Sequence, residues 1–309
     1  MERRFDIIEA INRRSWGFPA PFSVINTCAQ APTLAYLVTI AAAWQAPAYS
    51  GYTRVWFDPF RGNWGVSVNT NTWNVIKRDK NYNNEIQKYT GDQRNLRLSG
   101  RSTVQLVPQY SASTKWTSAR IESKYTLTPA VGKITRVEAS IKFGTNAASR
   151  KQGIWPAFWL LGDSNRRGVT WPACGEIDIM ENINGQSIGY ASLHCDKSPG
   201  GICNEPTGLA AQTSLPDTNY HVWRVQIDRR NSNWKSQSIT WYMDGKVFHK
   251  VTGAKINDAK TWKALAYSPL YVILNVAVGG DWPGNPNKST YGDRGSMMEV
   301  GYVAHYVST

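Results

Sequence analysis

The stretch "WPACGEIDIMEN", Trp171 to Asn182, carries three carboxylates, Glu176, Asp178 and Glu181, set among Ile177, Ile179 and Met180. On a β-strand successive side chains point to opposite faces. Glu176 and Asp178 therefore share one face, and Ile177 and Ile179 share the other. The isoleucines belong in a core, so the acids face a groove or solvent. Continued alternation would set Met180 beside the acids and bury Glu181, and a buried charge without a partner is costly. One extra residue at Ile179-Met180, a β-bulge, returns Glu181 to the acidic face.

Three carboxylates on one face repel, which raises the pKa of at least one of them. Glycoside hydrolysis needs such a set, with one ionised nucleophile and one protonated acid, about 5–5.5 Å apart in retaining enzymes. Asp178, between the two glutamates, could share a proton with the nucleophile and hold its orientation. Alone, the pattern also fits a solvated acidic edge or a calcium site.

Around this stretch the chain reads as strands. From Tyr52 onward, short runs rich in Val, Ile, Tyr, Trp and Thr ("STVQLVPQY", "ITRVEASIKF", "HVWRVQI", "LYVILNVAVGG", "MEVGYVAHY") are punctuated by Gly, Pro, Asn and Asp. Many strands with frequent turn signals predict an all-β antiparallel sandwich or jelly roll. "YMDGKV" predicts a hairpin, because Asp244-Gly245 can take the positive φ angles of a type I′ turn. "TGAKINDAKTWKAL" predicts a short helix. No repeat or internal linker interrupts residues 49–309.

The 309 residues hold 14 Trp, more than a core of this size requires, which leaves some for a surface that stacks on flat rings such as sugars or bases. A net charge of +13 invites a nucleic-acid reading, but Lys and Arg are scattered and no basic run or zinc-finger spacing appears. We expect no nucleic-acid partner and a solvated basic surface, open to attraction by an anionic cell wall. No Cys/His cluster has metal spacing.

Residues 1–48 form a separate leader. Arg3, Arg4, Arg13 and Arg14 precede the apolar "APTLAYLVTIAAAW", which ends in Ala41 to Ala43. The apolar run is shorter than the roughly 20 residues that span a bilayer. Basic residues, an apolar core and small residues at its end predict a secretory signal. A short anchor, or a start codon misplaced upstream of an ordinary signal, are the rivals. Export to the extracellular space or cell wall follows, with no stable membrane insertion. Cys195 and Cys203 would close a short Gly/Pro-containing loop by a disulfide. Cys174 is then left unpaired and buried, with Cys28 in the leader.

The wording of several segments is more specific than their pattern. "GIWPAFWLLG" (153–162), "WPACGEIDIMEN" and "ILNVAVGGDWPG" (273–284), with "YNNEIQKYT" (82–90) and "WYMDGK" (241–246) in the same order, resemble glycoside hydrolase family 16. Within it they are similar to the laminarinase-like β-1,3-glucanases, whose signature has the bulged E-x-D-x-x-E form. The resemblance covers roughly residues 50–309. It implies a concanavalin-like β-jelly roll of two antiparallel sheets, with a sugar cleft across the concave one, and a retaining double displacement. Carried over by position, Glu176 is the nucleophile, Asp178 its assisting acid and Glu181 the general acid/base. Trp155 and Trp282 fall at the cleft, and Trp159 at the cleft or in the core. Asn84, Glu85 and Asn275 would hydrogen-bond sugar hydroxyls, or else cap turns and satisfy neighbouring backbone. His194 would reach the leaving-group side, while His221 supports the sheet.

Relatives often hold a structural calcium through acids in the first and last strands. Here "FDPFRG" has Pro59 at the first of these positions and "MEVGYVAHY" has Gly301 at the last. Asp58 alone would serve poorly a cation that wants six to eight oxygens, so calcium is expected to be weak or absent, with no other cofactor. The expected function is a secreted, monomeric endo-β-1,3(4)-glucanase with a polysaccharide substrate. The alternatives are a glucan-binding protein on the same scaffold, a glucan transglycosylase and a galactan hydrolase. Asn287, in the sequon Asn287-Lys288-Ser289, is a glycosylation candidate.

Overall fold

The computed structural model describes residues 44–309. Of the expected leader, residues 1–43 lie outside the described residues. Residues 44–48 do not stand apart from the fold. Ala46 is buried, the Tyr306 hydroxyl donates to the Pro47 carbonyl at 2.8 Å, and Arg54 donates to the carbonyl of Ala46. The boundary expected after residue 48 therefore does not mark where packing begins. No helix among the described residues is long and apolar enough to cross a membrane.

Two large antiparallel sheets form the expected β-jelly roll. The acid-bearing sheet has seven strands, in the order Ala211–Ser214, Ile188–His194, Glu176–Glu181, Ile154–Gly162, Leu270–Val278, Arg120–Leu127 and Trp73–Val75. Ile134–Phe143, Met298–Ser308 and His221–Asp228 lie at the centre of the other, eight-stranded sheet. A small third sheet joins Lys88–Tyr89, Lys115–Ser118 and Gln109–Ser111.

The two large sheets meet through their alternating apolar residues. Phe158, Leu160, Ile177, Ile179, Leu274 and Val276 of one join Val137, Ile141, Trp223, Val225 and Trp241 of the other in a single core. The hairpin forms at Asp244-Gly245, with φ of 49° and 80°. The expected helix spans Ala259–Ala266, after a short helical turn at Gly253–Ile256, and its N-cap Asp258 accepts the Thr261 N–H at 2.7 Å.

The bulge is present. Against the aromatic strand, Asp178 pairs with Trp159, Met180 with Phe158 and Glu181 with Ala157, so Ile179 is the extra residue. The register against Ile188–His194 shifts between the same two acids. Ile177, Ile179 and Met180 are all fully buried in the main core. Burying each contributes about 1.5–3 kcal/mol, which outweighs the loss of regular pairing at one position. The Asp178 carbonyl accepts the indole N–H of Trp241, from the opposite sheet, at 2.8 Å. A tryptophan across the core thus satisfies backbone that the bulge disturbs.

Candidate active site

The alternation that buries Ile177 and Met180 leaves Glu176, Asp178 and Glu181 on the outward face of the seven-stranded sheet. Neighbouring strands add Trp155, Ala157 and Trp159, then Tyr190, Ser192 and His194, and Asn275 beyond. Glu176 is partly exposed, whereas Asp178 is 4% and Glu181 7% exposed.

At the Glu181 end the site is aromatic. The Trp155 indole N–H donates to Glu181 Oε1 at 2.9 Å. Trp282, 44% exposed, meets Trp155 edge-on at 5.5 Å and Tyr190 at 5.0 Å between ring centroids. Its loop is held by Asn84, whose Nδ2 donates to Asp281 at 2.8 Å, and by the Asp281 N–H, which donates to the Asn83 carbonyl at 2.9 Å. Glu85 lies inside that support and accepts the Gln87 amide at 2.6 Å and the Tyr89 hydroxyl at 3.4 Å. Burial raises its pKa. Asn84 and Glu85 thus bond to other side chains of the protein. Asn287 is exposed further along the loop and accepts the Ser289 N–H at 2.8 Å.

The Glu176 end is charged. Trp159 is partly buried on the site face; its N–H donates to Asn275 Oδ1 at 2.7 Å and its ring lies 4.8 Å beneath the Arg120 guanidinium. Asn275 also donates to the buried Tyr89 hydroxyl at 3.2 Å, so its amide positions Trp159 from below. His194 does not extend away from the acids. Nε2 lies 3.3 Å from Asp178 Oδ2, and Nδ1 hydrogen-bonds Glu205 Oε2 at 2.6 Å. Cys195 and Cys203 are bridged, closing a loop that Glu205 follows by two residues, while Cys174 is free and buried. His221 lies on the other sheet, between Asp244 at 2.6 Å and Asp217 at 3.1 Å.

Burial first, then the neighbouring Asp178, pushes the Glu176 carboxyl up to about 8. The same two causes raise Glu181 well above the usual carboxylate range, and the Trp155 hydrogen bond pulls the other way. His194 and Arg120 both favour the ionised form of Glu176. The row therefore retains a proton at neutral pH, and the cations gather at the Glu176 end, which is the asymmetry that acid and nucleophile require. For His194, burial opposes the charge, but the close carboxylates of Asp178 and Glu205 outweigh it and push the ring up to about 11.

Glu176, Asp178 and His194 form the one cluster with metal-ligand spacing among the described residues. Both ring nitrogens of His194 face carboxylate oxygens, Nδ1 that of Glu205 and Nε2 that of Asp178, an arrangement that suits an N–H on each better than a metal ligand. The calcium position implied by the resemblance does not fit either. Asp58 accepts the Phe60 N–H and the Trp73 indole N–H, each at 2.7 Å, and a Cβ placed on Gly301 would sit 2.9 Å from the Trp44 ring.

Residues 69–302 match the family model of glycosyl hydrolases family 16. Glucan endo-1,3-beta-glucosidase A1 of Niallia circulans is 31% identical over 296 residues, covering 84% of this chain and 38% of that protein. The crystal structure of an endo-1,3-beta-glucanase from Streptomyces sioyaensis superposes with a TM-score of 0.81 at 35% identity, covering 86% of this chain and 100% of that one. A Beta-glucanase of Rhodothermus marinus is 25% identical over 74% of this chain and 77% of its own length. The chain belongs to glycosyl hydrolase family 16. It spans less than half the length of the Niallia circulans protein.

Reasoning from the sequence missed Arg120, Glu205, Tyr190 and Trp171, whose ring lies 5.7 Å from that of His194. The one available signal was the position of Glu205, two residues past the second cysteine of the loop.

Proposed function

We propose that this chain is a retaining endo-hydrolase of β-1,3- or mixed β-1,3/1,4-glucan. The observation that carries this reading is the bulged row, which sets Glu176, Asp178 and Glu181 on one face with a tryptophan donor on the last. Glu176 attacks the anomeric carbon while Glu181 protonates the departing glycosidic oxygen. Glu181 then takes a proton from the water that releases the glycosyl-enzyme, and the leaving and entering steps mirror each other. Asp178, between them, orients the nucleophile. Trp155 and Trp282 present flat faces for sugar rings beside the acid.

The glucanases among the relatives support this substrate class. The disulfide supports export to the extracellular space or cell wall, where such a bridge persists. The enzyme works as a monomer without a metal cofactor, and structural calcium is weak or absent.

The test is product release from laminarin, lichenan, barley β-glucan, carboxymethyl cellulose and a galactan by the wild type and Glu176→Gln. Cleavage of laminarin that the substitution abolishes is the expected result. Cleavage of galactan alone would keep the mechanism and replace the substrate. Binding of laminarin with no product from any polymer would make the protein a lectin on a hydrolase scaffold.

A further inference from the structure

Glu205 is the most deeply enclosed carboxylate at the site, with a side-chain exposure of 0%, and the mechanism above does not use it. Its two oxygens are assigned to different partners. Oε1 accepts the backbone N–H of Cys195 at 2.8 Å, and Oε2 meets His194 Nδ1 at 2.6 Å. The loop that carries it is fixed three times over: by the Cys195–Cys203 bridge, by paired backbone hydrogen bonds between Gly200 and Glu205, and by close packing on the ring. Gly208 belongs to that packing. Its φ is +71°, and a Cβ there would lie 2.7 Å from His194 Cε1. A side chain at 208 would push the loop off the imidazole.

Burying a full carboxylate costs several kcal/mol unless a cation and hydrogen bonds offset it. A glutamine could accept the Cys195 N–H equally well, so the backbone bond alone gives no reason for a charge. The reason lies with the ring. Asp178 Oδ2 is buried and makes no hydrogen bond of its own in the protein, and His194 Nε2 approaches it to 3.3 Å without hydrogen-bond alignment. A charged edge compensates that oxygen through the field, where a neutral ring would leave it unpaired. The groups that bear on His194 are Asp178 and Glu176 from the acidic strand and Glu205 from the loop, with the apolar ring of Trp171 alongside.

We propose that Glu205, anchored two residues past the disulfide, is a positioning residue that holds His194 as a fixed cation against Asp178 and so sets the orientation and charge of the acid row. The segment that follows the disulfide thereby becomes part of the catalytic electrostatics as well as a wall beside the site. This role rests on the hydrolase reading above, but it has a readout independent of turnover.

The experiment is imidazole ¹⁵N NMR of the histidine-labelled full chain across pH 5 to 10, with laminarin kinetics run in parallel on wild type, Glu205→Gln and Glu205→Asp. In wild type, His194 is expected to keep both ring protons through pH 8, while His249 and His305 are neutral there, their charged forms disfavoured by burial. In Glu205→Gln the His194 titration falls by roughly 1–3 pH units, the worth of one close opposite charge. kcat drops on the order of tenfold with KM unchanged, because the row loses alignment and the binding surface is untouched. Glu205→Asp restores the charge and recovers part of both effects. A wild-type His194 that is neutral at pH 7 overturns the proposal, and this measurement stands even if the glutamine variant fails to fold. A folded Glu205→Gln with unaltered His194 titration and kcat overturns it as well. A wild type that releases nothing from any glucan would sink the hydrolase reading instead, and the NMR comparison would still decide the role of Glu205.

Discussion

The indole N–H of Trp155 donates to Oε1 of Glu181 at 2.9 Å, so the residue assigned as acid/base is held by a ring that also faces the substrate side. A donor bonded to a carboxylate favours its ionised form. Trp155→Phe removes the donor, so the pKa of Glu181 rises further. The alkaline limb of kcat/KM, set by loss of the proton that the leaving oxygen needs, then moves up by about one pH unit. kcat/KM at the optimum falls about tenfold because Glu181 is no longer aimed. A pH–rate profile on laminarin measures both. An alkaline limb that stays in place would dissociate Glu181 from that ionisation.

The acid row carries a stability cost that is visible in pH. Glu176 ionises at about 8 in the folded chain, against about 4.3 for an unperturbed glutamate. Between these values the folded state holds a proton that the unfolded state has lost, so this group's contribution to stability falls as pH rises through the window. Glu176→Gln removes the dependence. The variant is expected to lose activity on the order of 10³-fold or more. It should also be more stable than wild type at pH 8, by about 1–3 kcal/mol, a discounted share of the shift. The gain shrinks to nothing near pH 4, where both side chains are neutral. Urea unfolding at pH 4, 6 and 8 measures it, and an equal difference at all three would refute the assignment.

What could be read from the sequence was local. The bulge followed from residue types alone, because Ile177, Ile179 and Met180 belonged in the apolar core and Glu181 did not. The jelly roll followed from strand-like runs and turn residues, down to Asp244-Gly245. What stayed hidden depends on residues far apart in the chain. Arg120 reaches the acids only because its strand pairs with Leu270–Val278. Glu205 reaches His194 only through the path of the disulfide loop. Trp44 was read as part of a leader because alanines precede it, and its packing depends on a side-chain-free position, Gly301, in the last strand. Asn275 was open to a sugar or to a neighbour within the protein, and only the fold brings its amide to Trp159 and Tyr89.

Trp282 separates binding from folding. At 44% exposure, with edge contacts to Trp155 and Tyr190, it contributes little to the core. An aromatic stacking contact is worth about 0.5–1.5 kcal/mol. Trp282→Ala should therefore raise KM for laminarin about 2- to 10-fold and leave the melting temperature nearly unchanged. Initial rates and a thermal melt on the same preparation test this. A large drop in melting temperature with KM intact would return Trp282 to a packing role.

Trp44 provides the last prediction, at the place where the family resemblance would put a calcium. Its ring lies over Gly301 and 4.5 Å from the ring of Tyr220, while both oxygens of Asp58 accept hydrogen bonds from Phe60 and Trp73. Apolar packing thus stands where the family resemblance would put an ion. A ligand that binds the folded state raises stability with its concentration, so millimolar calcium or a chelator should shift the melting temperature by less than about 1 °C. Trp44→Ala should cost about 1–2 kcal/mol, below the 3–5 kcal/mol of a fully buried tryptophan because the ring is only partly covered. Gly301→Asp restores the acid but drives its Cβ into the ring, at a cost of about 1–3 kcal/mol that calcium does not recover. Calcium melts of all three chains test the set. A rise of several degrees in wild type, or calcium rescue of Gly301→Asp, would mean that the ion site survives beneath the tryptophan.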